Sequence, residues 1–404
     1  MSQKKLMLLG GSRFLFPVIE KAHELGIYVI TADYLPDNVA HQVSDEYVNV
    51  SVIDKEAVLK VAQDKKIDGI SAFACDPGVV TASYVAEEMG IPFHCSYQSA
   101  CIMQDKQLFR QFLREHGFSC PFMIGYASFA DAIAGAHNHS WPVIVKPADS
   151  AGSKGVTKVS TVSAYEDAVK CAFDNSISKR IIIEEYLELT GYQSSTDMFT
   201  EDGVIHYPLY SDQLFDEEAT NPFVPIAEIF PSTMPVQYQE ELTRELNRLF
   251  SLLHCHNGLY NIECRVCSNG KPYIMEVSPR GGGNHIAKLQ DEAYGLNYID
   301  NEIRAAVGLP MNVNKPIPIR GKWCTCSIHP RKNQSGKLKT IAFSNDVKNR
   351  IKFADLSFLP GKDISPFTGA NMAFGDVILH CDTPDELLRC ISLTSDSLIL
   401  SSDN

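Results

Sequence analysis

The sequence predicts an α/β and α+β multidomain protein that opens with a parallel-sheet domain, and three observations predict it. Short apolar runs alternate with helix-spaced apolar residues over the first hundred positions. From about Ala100 to Leu309 helices mix with hairpins. Pro316 and Pro318 then mark a linker into a last group of strands.

The elements follow in order. Leu6 to Leu9, Tyr28 to Thr31, Tyr47 to Val50 and Gly69 to Phe73 read as strands, with Val18, Ala22 and Leu25, then Val58, Val61 and Ala62, at helical spacing between them. Gly10-Gly11-Ser12 after the first strand and Asp33 after the second are the pieces of a dinucleotide site without its full glycine fingerprint. A tight turn with Ser12 as helix cap is the better reading, and a strand-end ligand crevice remains open. Residues 211–235, with Asp212, Asp216, Glu217, Glu218 and weak periodicity, read as a long connection that is either a substrate lid or surface. Beyond it, Cys324 to Ile328, Ile341 to Phe343 and Val377 to His380 read as strands, and Asp385 to Ile391 as the last helix.

Composition narrows the function classes. At 404 residues, 45% hydrophobic and 21% charged, the chain is long enough for two or three domains of ordinary globular character. A formal charge of −13, with Lys and Arg scattered, argues against nucleic acid as a partner. Lys4 and Lys5 before Leu6 to Leu9 imitate a secretory leader, but Gly10 to Arg13 end the apolar run too early, and no other run is long enough to span a bilayer. A buried first strand and a cytoplasmic protein without a membrane partner are expected. The twelve cysteines, spread through apolar patterns, read as reduced, packed thiols.

The most informative segment runs from Asn261 to Arg280, two strand-like stretches around Asn269-Gly270. A two-residue turn there sets Ser268 against Lys271, Arg265 against Ile274 and Glu263 against Glu276, with Asn261, Ser278 and Arg280 on the same face. Opposed residues have β-carbons ~5 Å apart, and like charges so placed are destabilising unless a cation intervenes or one keeps a proton. A divalent metal resolves the conflict, and two carboxylates without clustered His or Cys favour a hard ion such as Mg²⁺, completed by substrate phosphates. The bland alternative is an exposed hairpin whose glutamates splay into water.

Upstream, the strand-like Trp141 to Lys146 leads into Asp149 to Val156, a loop whose Gly152 and Gly155 let backbone amides approach phosphate oxygens. No P-loop sequence occurs, so a glycine-rich hairpin tip folding over phosphates fits better than a P-loop, with a mere flexible turn the alternative. Lys146 and Lys106, the latter near a helix start, could offset phosphate charge, though each could equally be a solvated surface group. The strand Arg180 to Ile183 runs into Glu184 to Leu187, whose backbone could hydrogen-bond a planar adenine edge.

Taken in this order, Asp105-Lys106, Val145-Lys146-Pro147, the Ser150–Gly155 loop, Glu184 to Leu187, Glu263 and Glu276-Val-Ser-Pro-Arg280 resemble the ATP-grasp superfamily, and within it the carboxylate-amine ligases. The resemblance implies a Rossmann-like domain over 1–100, an ATP-grasp domain of two subdomains sandwiching ATP over 101–314, and a small α+β domain over 315–404. It implies that Lys106 and Lys146 contact the phosphates of ATP and that Ser150, Gly152, Ser153 and Gly155 close over them. Glu184 with the Glu185 and Leu187 backbones would bind adenine. Gln193 stands where many members have a ribose-binding Glu. Glu263 and Glu276 would hold Mg²⁺, with Mn²⁺ as a substitute, and Ser278 stands where many members have a metal-binding Asn. Arg280 is the candidate for holding an acyl phosphate. Asn284 and His285, after three glycines, are candidate contacts for small-molecule carboxylate and amine substrates, against a packed or capping role for His285. The apolar faces of the first domain would suit a homodimer.

Competing readings keep the fold and change the outcome: a small-molecule kinase that stops at phosphoryl transfer, a carboxylase-like enzyme, or a nucleotide-binding regulatory module. The Glu263, Glu276 and Arg280 set argues against the last, because a binding module has no need of a transition-state arginine. Cys264 and Cys267 have metal-site spacing, yet on a strand they point to opposite faces.

Overall fold

The structure is a computed structural model that describes residues 3–149, 153–332, 334–356, 360–361, 363–364 and 366–400. Its first sheet is wholly parallel, in the order β3-β2-β1-β4, from β1 (Lys5–Leu9), β2 (Tyr28–Asp33), β3 (Glu46–Asn49) and β4 (Gly69–Ser71). Leu6 to Leu9 are fully buried, which is why β1 reads as a continuous apolar run rather than an alternating one. The helices between the strands are α1 (Phe16–Glu24), α2 (Lys55–Lys65) and α3 (Asp76–Met89). Asp54 caps α2 by accepting from the Ala57 N–H, and Lys66 in left-handed conformation ends it. Ser12 precedes a short 3₁₀ turn, Arg13–Leu15, but its hydroxyl makes no capping bond, contrary to the expected cap.

Helices α4 (Tyr97–Gln104) and α5 (Lys106–Glu115) lead to an antiparallel sheet ordered β5-β8-β6-β7, made of β5 (Met123–Tyr126), β6 (Val143–Pro147), β7 (Thr157–Val159) and β8 (Ile181–Glu185). Helices α6 (Phe129–Ala134) and α7 (Tyr165–Asn175) pack on it through Ala132, Ala168, Val169 and Ala172. The glycine-rich loop is the tip of the β6–β7 hairpin. Of its expected contacts, Ser150 and Gly152 lie outside the described residues.

A second antiparallel sheet, β10-β9-β13-β14, holds β9 (Leu189–Glu201), β10 (Val204–Ile205), β13 (Gly258–Cys267) and β14 (Pro272–Ser278), backed by α8 (Val236–Leu252). The chain passes from β8 to β9 through residues 186–188, so that strip joins the two sheets.

The third large sheet, β11-β12-β15-β18-β17, combines β11 (Asp212–Phe215) and β12 (Pro225–Phe230) with β15 (Lys322–Ser327), β17 (Ile351–Leu356) and β18 (Gly375–Cys381). Two corrections follow. Ten of the 25 residues 211–235, expected as a lid or surface loop, are strand, their short apolar stretches hidden by the acids and prolines around them. The closing region is not confined to 315–404, because β12 pairs directly with β15. Its other elements are β16 (Leu338–Ile341), α11 (Asn345–Lys348), α12 (Pro384–Thr394) and β19 (Leu398–Leu400). Helices α9 (Ile286–Tyr294) and α10 (Tyr298–Ala306) share one core with the first sheet, built on Leu6, Leu8, Ile286, Leu289 and Ile303. No helix among the described residues is long and apolar enough to cross a membrane.

Candidate active site

Glu263 on β13 stands directly opposite Glu276 on β14. The turn that places them is not the two-residue turn expected. Cys267 N–H donates to the Lys271 carbonyl at 3.0 Å and Gly270 N–H to the Cys267 carbonyl at 2.8 Å, so the loop is Ser268-Asn269-Gly270, with Gly270 at φ +73° where a glycine is favoured. Arg265 therefore pairs with Tyr273, not Ile274. An irregularity opposite Met275 adds one residue to β14 and restores the Glu263–Glu276 pairing.

Burial and the adjacent Glu276 both push the Glu263 carboxyl above its ordinary range, the expected signature of two acids awaiting a cation. Among the described residues no group of three or more His, Cys, Asp or Glu side chains forms a metal cage. The donor set thus fits Mg²⁺ completed by phosphate oxygens, and not a closed zinc site built on Cys264 and Cys267.

Lys106 begins α5, whose cap Asp105 accepts from the Gln107 and Leu108 N–H groups and pairs with Arg180. The Lys106 ammonium lies 3.3 Å from Glu276 Oε1; burial opposes its charge, but Glu276 together with Asp76 and Glu263 outweighs burial and raises its pKa. Its backbone N–H donates to the Ala148 carbonyl, tying α5 to the end of β6 where Lys146 stands.

Lys146 has a different environment. Its Nζ is 2.5 Å from Glu184 Oε2, while Arg110 Nε donates to Glu184 Oε1 at 2.6 Å. Arg110 and Glu184 are almost wholly buried, at 1% and 3% exposure. Burial works against the Glu184 charge, yet Arg110 and Lys146 overcome it and hold the carboxyl down at about 2. Lys146 shares that one carboxylate with Arg110, so burial wins there and lowers its pKa to about 8. The Glu184 side chain, expected at adenine, is thus committed to two cations. Of the backbone adenine candidates, the Glu185 N–H donates to the Phe122 carbonyl at 3.0 Å, whereas the Leu187 backbone bonds to none of the described residues.

Arg280, expected beside the reacting carboxylate, is gripped by Asp76 at the start of α3: Nε donates to Oδ1 at 2.8 Å and Nη2 to Oδ2 at 2.7 Å. Ser278 also donates to Asp76 and accepts from Gln104, so its hydroxyl is engaged away from Glu263 and Glu276. The glycine run after Arg280 is fixed by Asp197, whose two oxygens accept the Gly282 N–H. A β-carbon at Gly282 would sit 2.7 Å from Asp197 Oδ1 and Asn261 Nδ2. Burial pushes the Asp197 carboxyl up to about 6.

The structure brings Lys106, Glu263, Glu276, Ser278 and Arg280 into one group and Lys146 with Glu184 into a neighbouring one. The other sequence candidates stand apart from both. Ser153 donates to the Phe223 carbonyl, with Gly155 beyond it at φ +71°, so the described end of the glycine loop rests on the β11–β12 connection. Gln193 donates its amide to Gln213. Asn284 and His285 adopt left-handed conformations, with His285 Nε2 2.7 Å from Asp355 Oδ2.

Asp76, Arg110, Asp197 and Arg265 escaped the sequence reading. Arg110 had a signal, one helical turn after Lys106 on the same face. Asp197 had another, as the acid of a polar Ser-Ser-Thr-Asp run inside a buried strand. Arg265 lies two residues after Glu263, and its buried Nε has no partner among the described residues. Asp76 had none, since Asp-Pro reads only as a helix start.

The D-ala D-ala ligase C-terminus family matches residues 130–298, a span that begins on α6, runs through both antiparallel sheets and ends at the start of α10. The likeness is to the ATP-grasp superfamily and its carboxylate-amine ligases, and the whole chain has that fold. Proteins of this kind are ATP-dependent ligases that use ATP and Mg²⁺. It is 25% identical over 317 residues to a formate-dependent phosphoribosylglycinamide formyltransferase of Synechococcus sp. (strain WH7803), covering 76% of this chain and 77% of that protein. To the carbamoyl phosphate synthase large chain of Thermotoga petrophila it is 27% identical over 229 residues, 56% of this chain but only 20% of that much longer protein. An L-amino acid ligase from Bacillus licheniformis shares its ATP-grasp architecture at a TM-score of 0.81 and 19% identity, with 100% of both chains covered.

Proposed function

We propose that this protein joins a small-molecule carboxylate to an amine through an acyl phosphate, releasing ADP and phosphate. The observation that carries the reading is the direct opposition of Glu263 and Glu276 with Lys106 beside them and Arg280 just beyond the end of the Glu276 strand. Such a set neutralises charge and offers no protein nucleophile, which is what phosphoryl transfer to a carboxylate asks of an enzyme.

In this reading Glu263 and Glu276 hold Mg²⁺, which when bound neutralises the β- and γ-phosphates. Lys106 and Lys146 contact the phosphate oxygens, the glycine loop with Ser153 and Gly155 covers them, the Leu187 backbone meets the adenine edge and Gln193 lies near the ribose. The substrate carboxylate oxygen takes the γ-phosphoryl group and ADP leaves. Arg280, oriented by Asp76, holds the acyl phosphate while the amine nitrogen attacks its carbonyl carbon. The C–N bond forms, the C–O bond to phosphate breaks, and the nitrogen gives up two protons in becoming an amide, one of them ending on phosphate and one in solvent. Ser278 supports Asp76 instead of binding metal.

The test is to incubate the protein with Mg·ATP and a matrix of carboxylates, with and without amines, recording ADP against AMP and searching for condensed products by mass. ADP that appears only when carboxylate and amine are both present supports the ligase. A stable phosphorylated product without an amine requirement makes it a kinase, and AMP contradicts the acyl phosphate.

A further inference from the structure

One arginine of the candidate active site has nothing in the chain to hold it. Arg110 is paired with Glu184 and Arg280 with Asp76. Arg265 on β13 makes no ion pair among the described residues, and its Nε has no hydrogen-bond partner there. The side chain is half-buried, not sealed. Burial lowers its pKa, and the nearby Cys267, Glu263 and Glu184 offset that only in part. A charge so placed costs stability unless a partner repays it.

Its place on the strand says which partner. Side chains alternate, so Arg265 shares the face of Glu263. The register with β9 sets Glu263 beside Ser195, Arg265 beside Gln193 and Cys267 beside Leu189. Ser268 N–H then donates to the Glu188 carbonyl at 2.8 Å, so β13 ends on the 186–188 strip that joins the two sheets. At ~3.4 Å per residue, the Arg265 backbone stands about 7 Å from that of Glu263 and about 7 Å short of Cys267. The arginine thus lies midway between the metal pair and the strip that meets the base, beside the middle of an extended nucleotide. A guanidinium can only donate, and only an anion repays its charge. Between the metal-held β- and γ-phosphates and the base, the one anionic group of ATP is the α-phosphate.

We infer that Arg265 binds the α-phosphate of ATP. The inference rests on the nucleotide site proposed above. The α-phosphate is common to ATP and ADP, so Arg265 holds substrate, transition state and product alike. It adds to nucleotide affinity without lowering the barrier, unlike Arg280.

The experiment compares the full-length protein with Arg265→Met, which keeps a long side chain and removes its charge, and with Arg265→Lys. Calorimetry measures Mg·ATP, Mg·ADP and adenosine, and thermal unfolding is followed without nucleotide. Arg265→Met is expected to weaken Mg·ATP and Mg·ADP alike, by tenfold or more, and adenosine by less than twofold. Without nucleotide it is expected to unfold at or above the midpoint of the parent, because a charge the chain leaves unpaired has been removed. Arg265→Lys is expected to keep part of the affinity. Adenosine weakened as much as the nucleotides would put the arginine on the base or the ribose and overturn the inference. So would unchanged Mg·ATP binding, or an unfolding midpoint lowered in both variants, which would make the residue structural. The two readings fail separately. A parent that binds no Mg·ATP overturns both, whereas parent binding that Arg265→Met leaves unchanged removes only the role of Arg265.

Discussion

Asp76, at the first turn of α3 in the parallel-sheet domain, holds Arg280, at the end of β14, through two charge-assisted hydrogen bonds of 2.8 and 2.7 Å. The pair ties the parallel-sheet region to the candidate active site by fixing the Arg280 guanidinium. Asp76→Asn keeps the shape and halves the grip. It is expected to lower turnover by roughly 10- to 100-fold, about 1.4–2.7 kcal/mol of barrier, with Mg·ATP affinity unchanged. Steady-state ADP release and calorimetric nucleotide binding check the two halves of that statement.

Glu184 is shared by Arg110 and Lys146 in a largely buried place. Removing its charge leaves two buried cations facing each other, and breaking a buried pair in this way costs ~3–5 kcal/mol. Glu184→Gln is therefore expected to shift the urea unfolding midpoint strongly downward. The Glu185→Gln protein, altered at an exposed neighbour, is expected to unfold close to the parent.

Lys146, with its pKa lowered by burial to about 8, loses its charge in mildly alkaline solution when no nucleotide is bound. A phosphate beside it favours the protonated form. Binding of Mg·ATP above pH 8 is thus expected to take up a proton, and affinity to fall as pH rises from 7 to 9. Calorimetry in buffers of different ionisation enthalpy measures the uptake. Lys146→Arg, charged at every pH used, is expected to abolish both effects.

Gly282 has no room for a side chain, since a β-carbon would meet Asp197 and Asn261 at 2.7 Å. Gly282→Ala is expected to cost about 1–3 kcal/mol of stability by overpacking. It should also lower turnover more than nucleotide affinity, because the segment it displaces carries Arg280. Thermal unfolding and kinetics on the same preparation separate the two.

Much of this was legible in the sequence, where local pattern and burial agree. The apolar run of β1 and the β6–β7 hairpin are read correctly because their patterns are local. The Glu263–Glu276 pairing came out right by cancellation: a turn one residue longer than expected is offset by one extra residue near Met275. A turn signal locates a hairpin without fixing its loop length. Residues 212–230 were misread because β11 and β12 are short and find their partners across the sheet, through a strand more than ninety positions on. The Asp76–Arg280, Arg110–Glu184 and Arg13–Asp376 contacts span gaps no periodicity reaches. The Glu184 carboxylate meets Arg110 and Lys146, contacts that no local pattern signals.

The acyl phosphate is the central claim, and oxygen transfer tests it most directly. A carboxylate substrate found in the turnover screen would be labelled with ¹⁸O at both oxygens and turned over with Mg·ATP and its amine, and the released phosphate analysed by mass. One ¹⁸O in each phosphate is the predicted result, because the oxygen that accepts the phosphoryl group leaves with it. Unlabelled phosphate alongside an amide product would contradict the account.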